Sequence, residues 1–85
     1  MKLIYQAKFE PCEEGGYTVT VPDLPGCTTE GDDLAEAISM GIDAASGWIL
    51  DELEKGRKIP EPDHNRDIPL NEDEFISLLV LDIDA

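Results

Sequence analysis

Apolar and polar residues alternate over the first part of the chain, which is typical of strands that bury one face. Between Lys2 and Glu10 the buried face is predicted to carry Leu3, Tyr5, Ala7 and Phe9. The alternation returns over Tyr17–Val21, where threonines separate the apolar residues. Because the turn-forming sequence PCEEGG joins the two runs, we predict an antiparallel hairpin.

The hairpin is followed by a break in the sheet. Pro22 and Pro25 cannot donate to a strand ladder, and Gly26 follows them, so regular pairing is expected to stop here. A brief third strand is predicted over Cys27–Glu30, and Gly31 then allows the chain to turn.

A long helix is predicted from an N-cap at Asp32 or Asp33 to about Lys55. Asp33 and Glu36 have the spacing of a capping box, and Gly56 is placed to end the helix. The predicted apolar stripe consists of Leu34, Ile38, Ala45 and Ile49, widened by Ile42 and Leu53.

Two glycines lie inside this predicted helix, where each costs about 1 kcal/mol relative to alanine. Gly41 borders the apolar stripe, which favours a close approach of the helix to the sheet. Gly47 lies on the outer side, where a contact with a partner protein is one explanation.

The chain after the helix divides into a loop and a last strand. The loop, Ile59–Glu74, contains three prolines and no periodicity. The nearly apolar run Phe75–Ile83 predicts a strand buried on both faces, of the kind that pairs in parallel after a right-handed crossover. The predicted fold is a single α+β domain over residues 1–85, in the order β-β-β-α-β, with one long helix on one face of the sheet.

The net charge of −14, from 20 acidic and 6 basic residues, restricts the choice of partners. It disfavours nucleic acids and anionic membranes, and it favours a basic partner protein. A domain of 85 residues buries only a modest core, which favours association with itself or with a partner. The small core therefore predicts a homodimer or larger oligomer. Because no signal peptide or membrane-spanning segment is apparent, we expect a cytoplasmic protein.

Few residues are candidates for catalysis or metal binding. His64 is the sole histidine and lies in the predicted loop, which favours a solvated residue over a catalytic one. Cys12 and Cys27 are too far apart for a CxxC site and are expected to be reduced. The glycines do not form a phosphate-binding motif. We therefore predict no catalytic residue, no metal site and no cofactor.

A metal-dependent nuclease is one alternative, because three strands, a helix and a further strand match the first part of a ribonuclease H-like fold. The candidate metal ligands, in or next to the predicted elements, are Glu10, Asp23, Glu36 and Asp82. Among 20 acidic residues some reach such positions by chance, and the middle of the first strand offers none.

The outer face of the predicted helix favours binding over catalysis. Met40 and Leu50 are apolar residues surrounded by carboxylates, a combination that suits a basic and partly hydrophobic surface. An ordinary solvated helix face is the alternative interpretation.

Two stretches resemble the HicB family of antitoxins. They are GGYTVTVPDLPGCTTEGDDLAEA at residues 15–37 and the G-x-x-IPEP signature at residues 56–62. The resemblance covers about residues 3–63, and LLVLDIDA resembles the family's final strand. It implies a degraded ribonuclease H-like domain without nuclease activity. The resemblance further implies a small, basic partner toxin of the HicA type, which cuts messenger RNA.

The resemblance also implies that the domain acts by covering the RNA-binding and active surface of that toxin. The residues expected to form the contact are Asp23, Glu30, Asp32, Asp33, Glu36, Met40, Asp43 and Leu50. The residues assigned to the structural motif are Gly16, Tyr17, Pro22, Pro25, Gly26 and Trp48. Tyr17, Leu24, Leu34 and Trp48 are interpreted as core or dimer residues.

Longer members of the family continue into a helix-turn-helix or ribbon-helix-helix module that binds DNA. We expect no such C-terminal module within residues 1–85, and therefore no DNA binding by this chain. A stand-alone interaction or ligand-sensing domain of the same fold, without a toxin partner, is the second alternative.

Overall fold

Four strands and one helix form the part of the chain that the computed structural model describes, residues 1–84. Ala85, the end of the predicted domain, lies outside the described residues. The elements are β1 Lys2–Pro11, β2 Tyr17–Thr20, β3 Thr28–Gly31, α1 Leu34–Glu54 and β4 Phe75–Asp82. This order confirms the predicted α+β class with its β-β-β-α-β sequence.

The sheet has the order β3-β2-β1-β4, and each neighbouring pair is antiparallel. The predicted hairpin is confirmed, because β2 pairs with the second half of β1 from Lys8 to Pro11. On its other side β1 pairs with β4 from Lys2 to Phe9. The first half of β1 therefore has a strand neighbour only on the β4 side.

The prediction for the last strand is wrong in direction and in burial. β4 pairs antiparallel with β1 and points opposite to β3, so the parallel crossover does not form. Leu79 and Leu81 are buried, whereas Leu78 and Val80 are 55% and 48% exposed. The reason is that the single helix covers one face of the sheet, which leaves the outer face of β4 in solvent.

The core lies between the inner face of the sheet and the helix. Tyr5, Ala7 and Phe9 are fully buried, as the alternation predicted. The Phe9 ring stacks on Phe75 of β4, with ring centroids 5.1 Å apart, and Tyr17 meets Phe75 edge to face at 5.9 Å. Stacking across three strands therefore closes one end of the core.

Helix α1 begins and ends close to its predicted limits. Asp33 is the N-cap, and its side chain accepts a hydrogen bond from the Glu36 backbone N–H at 2.8 Å. At the other end Gly56 was predicted as the C-cap, but the C-cap is Lys55, one residue earlier; Gly56 follows it, and its N–H donates to Leu53 O at 3.0 Å.

The face of α1 that packs on the sheet is rotated from the predicted stripe. The buried helical residues are Ala37, Gly41, Ala45 and Ile49. Leu34 was interpreted as a core or dimer residue; it is 40% exposed, so the core interpretation is wrong. In the first turn the place against the sheet is taken by Ala37, whose backbone abuts the backbone of Gly31.

Gly41 confirms the predicted close approach of helix and sheet. A Cβ at this position would lie 3.1 Å from Leu79 Cδ1 and 3.2 Å from Val19 Cγ1. Gly47 differs, because a Cβ there would meet nothing within 4 Å. Packing within the described chain therefore accounts for Gly41 and not for Gly47.

The proline-containing turn interrupts the sheet and packs under the helix. Val21 N donates to Cys27 O at 3.0 Å and closes the excursion of residues 22–26. Leu24 is buried within it, and Trp48 Nε1 donates to Pro25 O at 3.0 Å. The turn and the half-buried Trp48 are thus joined, in agreement with their assignment to one structural motif.

The segment after the helix runs beside the half of β1 that β2 leaves unpaired. The Tyr5 hydroxyl donates to Pro60 O, and His64 Nε2 donates to Ile4 O at 2.7 Å. Burial, and secondarily the charge of Asp23, raise the pKa of Tyr5, which keeps the donating hydroxyl protonated. His64 is exposed, and its ring is hydrogen-bonded to the backbone of β1.

Candidate partner-binding surface

Two backbone contacts bring three elements together at one corner of the domain. Gly16 has φ +79°, and a Cβ on it would collide with Gly31 O at the end of β3. On Gly31 a Cβ would lie 2.6 Å from Ala37 Cα, in the first turns of α1. Glycine at both positions lets the hairpin loop, the end of β3 and the start of α1 meet without intervening side chains.

A shallow depression of about 280 Å³ lies at this corner. Its lining residues are Cys12, Glu14, Gly15, Tyr17, Glu30, Gly31 and Asp32. The carboxylates of Glu14, Glu30 and Asp32 belong to exposed residues. We call Glu14, Glu30, Asp32 and Asp33 the acidic corner. Negative charge concentrated in this way attracts a cationic surface.

The N-terminus of the helix organises part of the acidic corner. Glu36 Oε1 accepts a hydrogen bond from Asp32 N at 3.0 Å, while Glu36 N donates to Asp33 Oδ1. This arrangement corresponds to the predicted capping box, with the Glu36 side chain reaching one residue beyond the N-cap. Asp33 and Glu36 therefore also stabilise the helix, and variants at these positions change more than surface charge.

The outer face of α1 continues from the acidic corner as one row of residues. Its members follow one another at spacings of four and three and are Glu36, Met40, Asp43, Gly47, Leu50 and Glu54. All six are exposed. We call them the helix stripe. Residues at this spacing share one face of a helix, so the predicted Met40, Asp43 and Leu50 lie on one surface.

Asp23 does not belong to this surface, although it was predicted with it. It is only 7% exposed, and its carboxylate accepts hydrogen bonds from Arg66 Nε and from Asp63 N, the latter at 2.8 Å. The expectation that Asp23 adds to the negative surface is therefore wrong. A buried carboxylate needs a charged or hydrogen-bonding partner, and the loop after the helix supplies both.

The carboxylates of the nuclease alternative do not form a metal site. Among residues 1–84 no three acidic, histidine or cysteine side chains are placed to hold a metal ion. Asp23 is bonded to Arg66, and Glu36 is engaged in capping the helix. The carboxylates of Asp23 and Glu36 therefore stabilise the local structure.

The sequence reasoning missed two residues of the corner, Cys12 and Glu14. Cys12 Sγ lies 3.5 Å from Thr18 Oγ1, at the edge of the depression. Antiparallel pairing of β2 with β3 would have revealed both residues. In that pairing Tyr17 lies opposite Gly31, which brings the PCEEGG loop beside Glu30 and Asp32. The second cysteine, Cys27, is buried, and burial raises the pKa of its thiol.

Four antiparallel strands, one helix and an exposed acidic surface define a small α+β domain. The sequence model described as HicB-like antitoxin of bacterial toxin–antitoxin systems matches residues 5–85. The chain therefore belongs to the HicB-like antitoxin family. It is 43% identical over 58 residues to Antitoxin HicB 1 of Photorhabdus laumondii, an alignment that covers 68% of this chain and 37% of that protein.

Solved structures show the same fold. One is a toxin–antitoxin complex from Streptococcus pneumoniae, with a TM-score of 0.79, 23% identity, and coverage of 96% of this chain and 70% of that one. Another is the N-terminal domain of the Burkholderia pseudomallei antitoxin HicB, with a TM-score of 0.73, 21% identity, and coverage of 98% and 100%. The chain spans 37% to 61% of the length of the curated relatives it matches first.

No helix within residues 1–84 combines the length and the apolar character needed to span a bilayer.

Proposed function

We propose that this chain is an antitoxin domain that binds a small, basic toxin of the HicA type and neutralises it by covering its RNA-binding and active surface. Membership of the HicB-like family over residues 5–85 is the observation that carries the proposal. Two of the solved structures with the same fold are toxin–antitoxin complexes. The domain acts by binding, without catalytic residues of its own.

The acidic corner and the helix stripe are the contact that we propose for the toxin. A protein that binds RNA phosphates presents cationic side chains, and a net charge of −14 draws such a surface in by long-range attraction. Met40 and Leu50 add apolar contact area among the carboxylates, which supplies a desolvated centre. The carboxylates would occupy the places that RNA phosphates take on the toxin.

A location in the cytoplasm follows from the proposal, because a toxin that cuts messenger RNA acts there. We further propose that residues 1–85 do not bind DNA, since the high negative charge repels phosphates. A gel shift with operator DNA from the same locus tests this at physiological salt. A specific shift by this chain alone would contradict it.

The function is tested by growth and co-purification in one experiment. The first step is to look for a gene for a small basic protein beside this one; its product is then induced with and without this chain, which carries an affinity tag. Rescue of growth together with a stable complex is the expected result. A complex without rescue would show that residues 1–85 bind but do not mask the active surface.

The second candidate, an interaction or ligand-sensing domain without a toxin, makes the opposite prediction. In that case the adjacent small protein neither co-purifies nor slows growth in a way that this chain relieves. The metal-dependent nuclease makes a third prediction. It requires metal-stimulated RNA cleavage that is lost on replacing Asp23 or Asp82 with asparagine.

A further inference from the structure

Gly47 lies in the middle of α1, where nothing within residues 1–84 requires a glycine. Its φ is not positive, and a Cβ built on it would meet no atom within 4 Å. Gly41 differs, since a Cβ there would press on Leu79 and Val19. Glycine is among the poorest helix formers, so alanine at position 47 would suit the isolated domain better. The missing side chain leaves a gap on the outside of the helix, where the backbone is open to another molecule.

A carboxylate and an apolar side chain border this gap. Residues three and four positions apart are neighbours on a helix surface, which places Asp43 and Leu50 on either side of Gly47. Leu50 is 45% exposed. Asp43 is exposed and belongs to none of the ion pairs within residues 1–84. Asp51, which also adjoins the gap, already pairs with Lys55 Nζ at 2.9 Å. We call Asp43, Gly47 and Leu50 the notch.

We propose that the notch receives one arginine side chain of the basic toxin, with the guanidinium on Asp43 and the aliphatic stem over Gly47 and Leu50. The proposal rests on the proposed antitoxin function and names the contact at the centre of the helix stripe. At 1.5 Å per residue, Asp43 and Leu50 lie about 10 Å apart along the helix axis, so only a long side chain serves both.

The chemistry of arginine matches each part of the notch. Its guanidinium pairs with a carboxylate through two parallel hydrogen bonds, which the Asp43 side chain is able to accept. Its methylene stem packs on apolar surface such as that of Leu50 while the charged end stays polar. Because Gly47 has no side chain, the stem is able to lie directly against the helix backbone. A larger residue at position 47 would hold the stem away from its support.

The charge of the helix stripe identifies the occupant as a cation. The stripe contains the acidic residues Glu36, Asp43 and Glu54 and no basic residue, on a chain of net charge −14. A purely apolar partner would cover the Asp43 carboxylate without a counter-charge, which costs free energy. A nucleic acid would be repelled by all three carboxylates. A basic protein that projects an arginine supplies both the charge and the apolar contact.

Replacing Gly47 by leucine tests the proposal, because the change fills the notch and strengthens the helix at the same time. The melting temperature of the free chain should rise by about 4 °C. The complex with the co-purifying small basic protein should dissociate about tenfold faster or more. Misfolding does not produce this pair of opposite effects. Gly47→Gln, which keeps the surface polar, should change both quantities in the same directions.

The matched control is Ala35→Leu. It adds the same side chain at an exposed position of α1, about three turns before Gly47 and outside the helix stripe. The dissociation rate of the complex should stay at the wild-type value. An equal increase for Ala35→Leu and Gly47→Leu would mean that any added bulk on the helix disturbs binding, and would overturn the notch.

A double-mutant cycle identifies the side chain that occupies the notch. Asp43→Asn keeps the shape and removes the charge, and it should raise the dissociation rate about tenfold. Each arginine of the small basic protein is then replaced by alanine in turn. One of these replacements should cause no further increase when combined with Asp43→Asn, because both changes remove the same interaction.

Three results would overturn the proposal and leave the antitoxin function standing. They are Gly47→Leu and Gly47→Gln complexes as long-lived as the wild type, an Asp43→Asn complex that is unchanged, and an Asp43 that couples to no arginine. If the wild-type chain binds no basic protein, the proposed function and the assignment of the notch both fail. The wild-type complex therefore distinguishes the two failures.

Discussion

The Arg66 guanidinium and the buried Asp23 carboxylate join the loop after the helix to the proline-containing turn, 43 positions earlier in the chain. Asp63 N donates to the second oxygen of the same carboxylate at 2.8 Å. Together with the bond from Tyr5 to Pro60, this pairing holds residues 60–66 along the open half of β1. Asp23 is thus a structural residue of the domain.

Removal of the Asp23 carboxylate should therefore destabilise the fold. Asp23→Ala leaves the Asp63 N–H and the Arg66 side chain without their acceptor, and we expect a loss of about 2 kcal/mol in the free energy of unfolding. Asp23→Asn keeps one acceptor and should cost less. Chemical denaturation measures both, with the exposed Asp67→Ala as control. Equal stabilities for Asp23→Ala and Asp67→Ala would contradict the structural role.

The two helical glycines should respond in opposite directions to a larger side chain. Gly47→Ala adds a methyl group in open space and should stabilise the protein by about 0.5–1 kcal/mol, because alanine favours the helix. Gly41→Val forces atoms against Leu79 and Val19 and should cost about 1–3 kcal/mol. Thermal unfolding of the two variants provides the comparison. A stabilised Gly41→Val would show that helix and sheet separate easily.

The pH dependence of stability should contain a contribution from Glu74. Its carboxylate accepts a hydrogen bond from Asn71 N at 2.8 Å and lies near Lys8. The backbone hydrogen bond from Asn71, and then the hydrogen bond and charge of Lys8, hold the pKa of Glu74 below its ordinary value of 4.5. A carboxylate with a lowered folded pKa stabilises the protein fully above that ordinary value, and this stabilisation is lost as the pH falls through the folded value.

Comparison with Glu74→Gln measures this contribution. The wild-type protein should exceed the variant in stability near neutral pH, and the difference should shrink as the pH falls below 4.5. Glu72→Gln, an exposed neighbour, is the matched control and should show no such trend. A difference between wild type and Glu74→Gln that does not change with pH would mean that the ionised carboxylate is not the source.

Charge reversal on the proposed toxin-binding surface should slow association with a basic toxin. Replacing Glu30 and Asp43 by lysine leaves the helix cap intact and should lower the association rate about tenfold at low salt. The control reverses the same number of charges at Glu72 and Asp73, in the loop before β4. Stopped-flow binding separates the rates. If both double variants associate equally slowly, total charge and not this surface determines the rate.

The local structure of this protein could be predicted from its sequence. The alternation in β1 and β2, the capping pair Asp33 and Glu36, and the proline-containing turn all appear within a residue or two of their predicted places. These features depend on neighbours in the chain, whose periodicity and hydrogen-bonding capacity are visible in the residues themselves. Glu30, Asp32 and Asp33 of the acidic corner were predicted for the same reason, whereas Glu14 was missed because its place beside them depends on strand pairing.

The tertiary structure decided what depends on contacts between distant residues. An apolar run such as Phe75–Ile83 fits a parallel buried strand and an antiparallel edge strand equally well, and only its position beside β1 leaves Leu78 and Val80 exposed. Asp23 looks like one more surface acid until Arg66 reaches it, and Leu34 looks like a core residue until Ala37 takes its place against Gly31. Burial is a property of the packed molecule, so the charge and polarity of a single residue do not specify it.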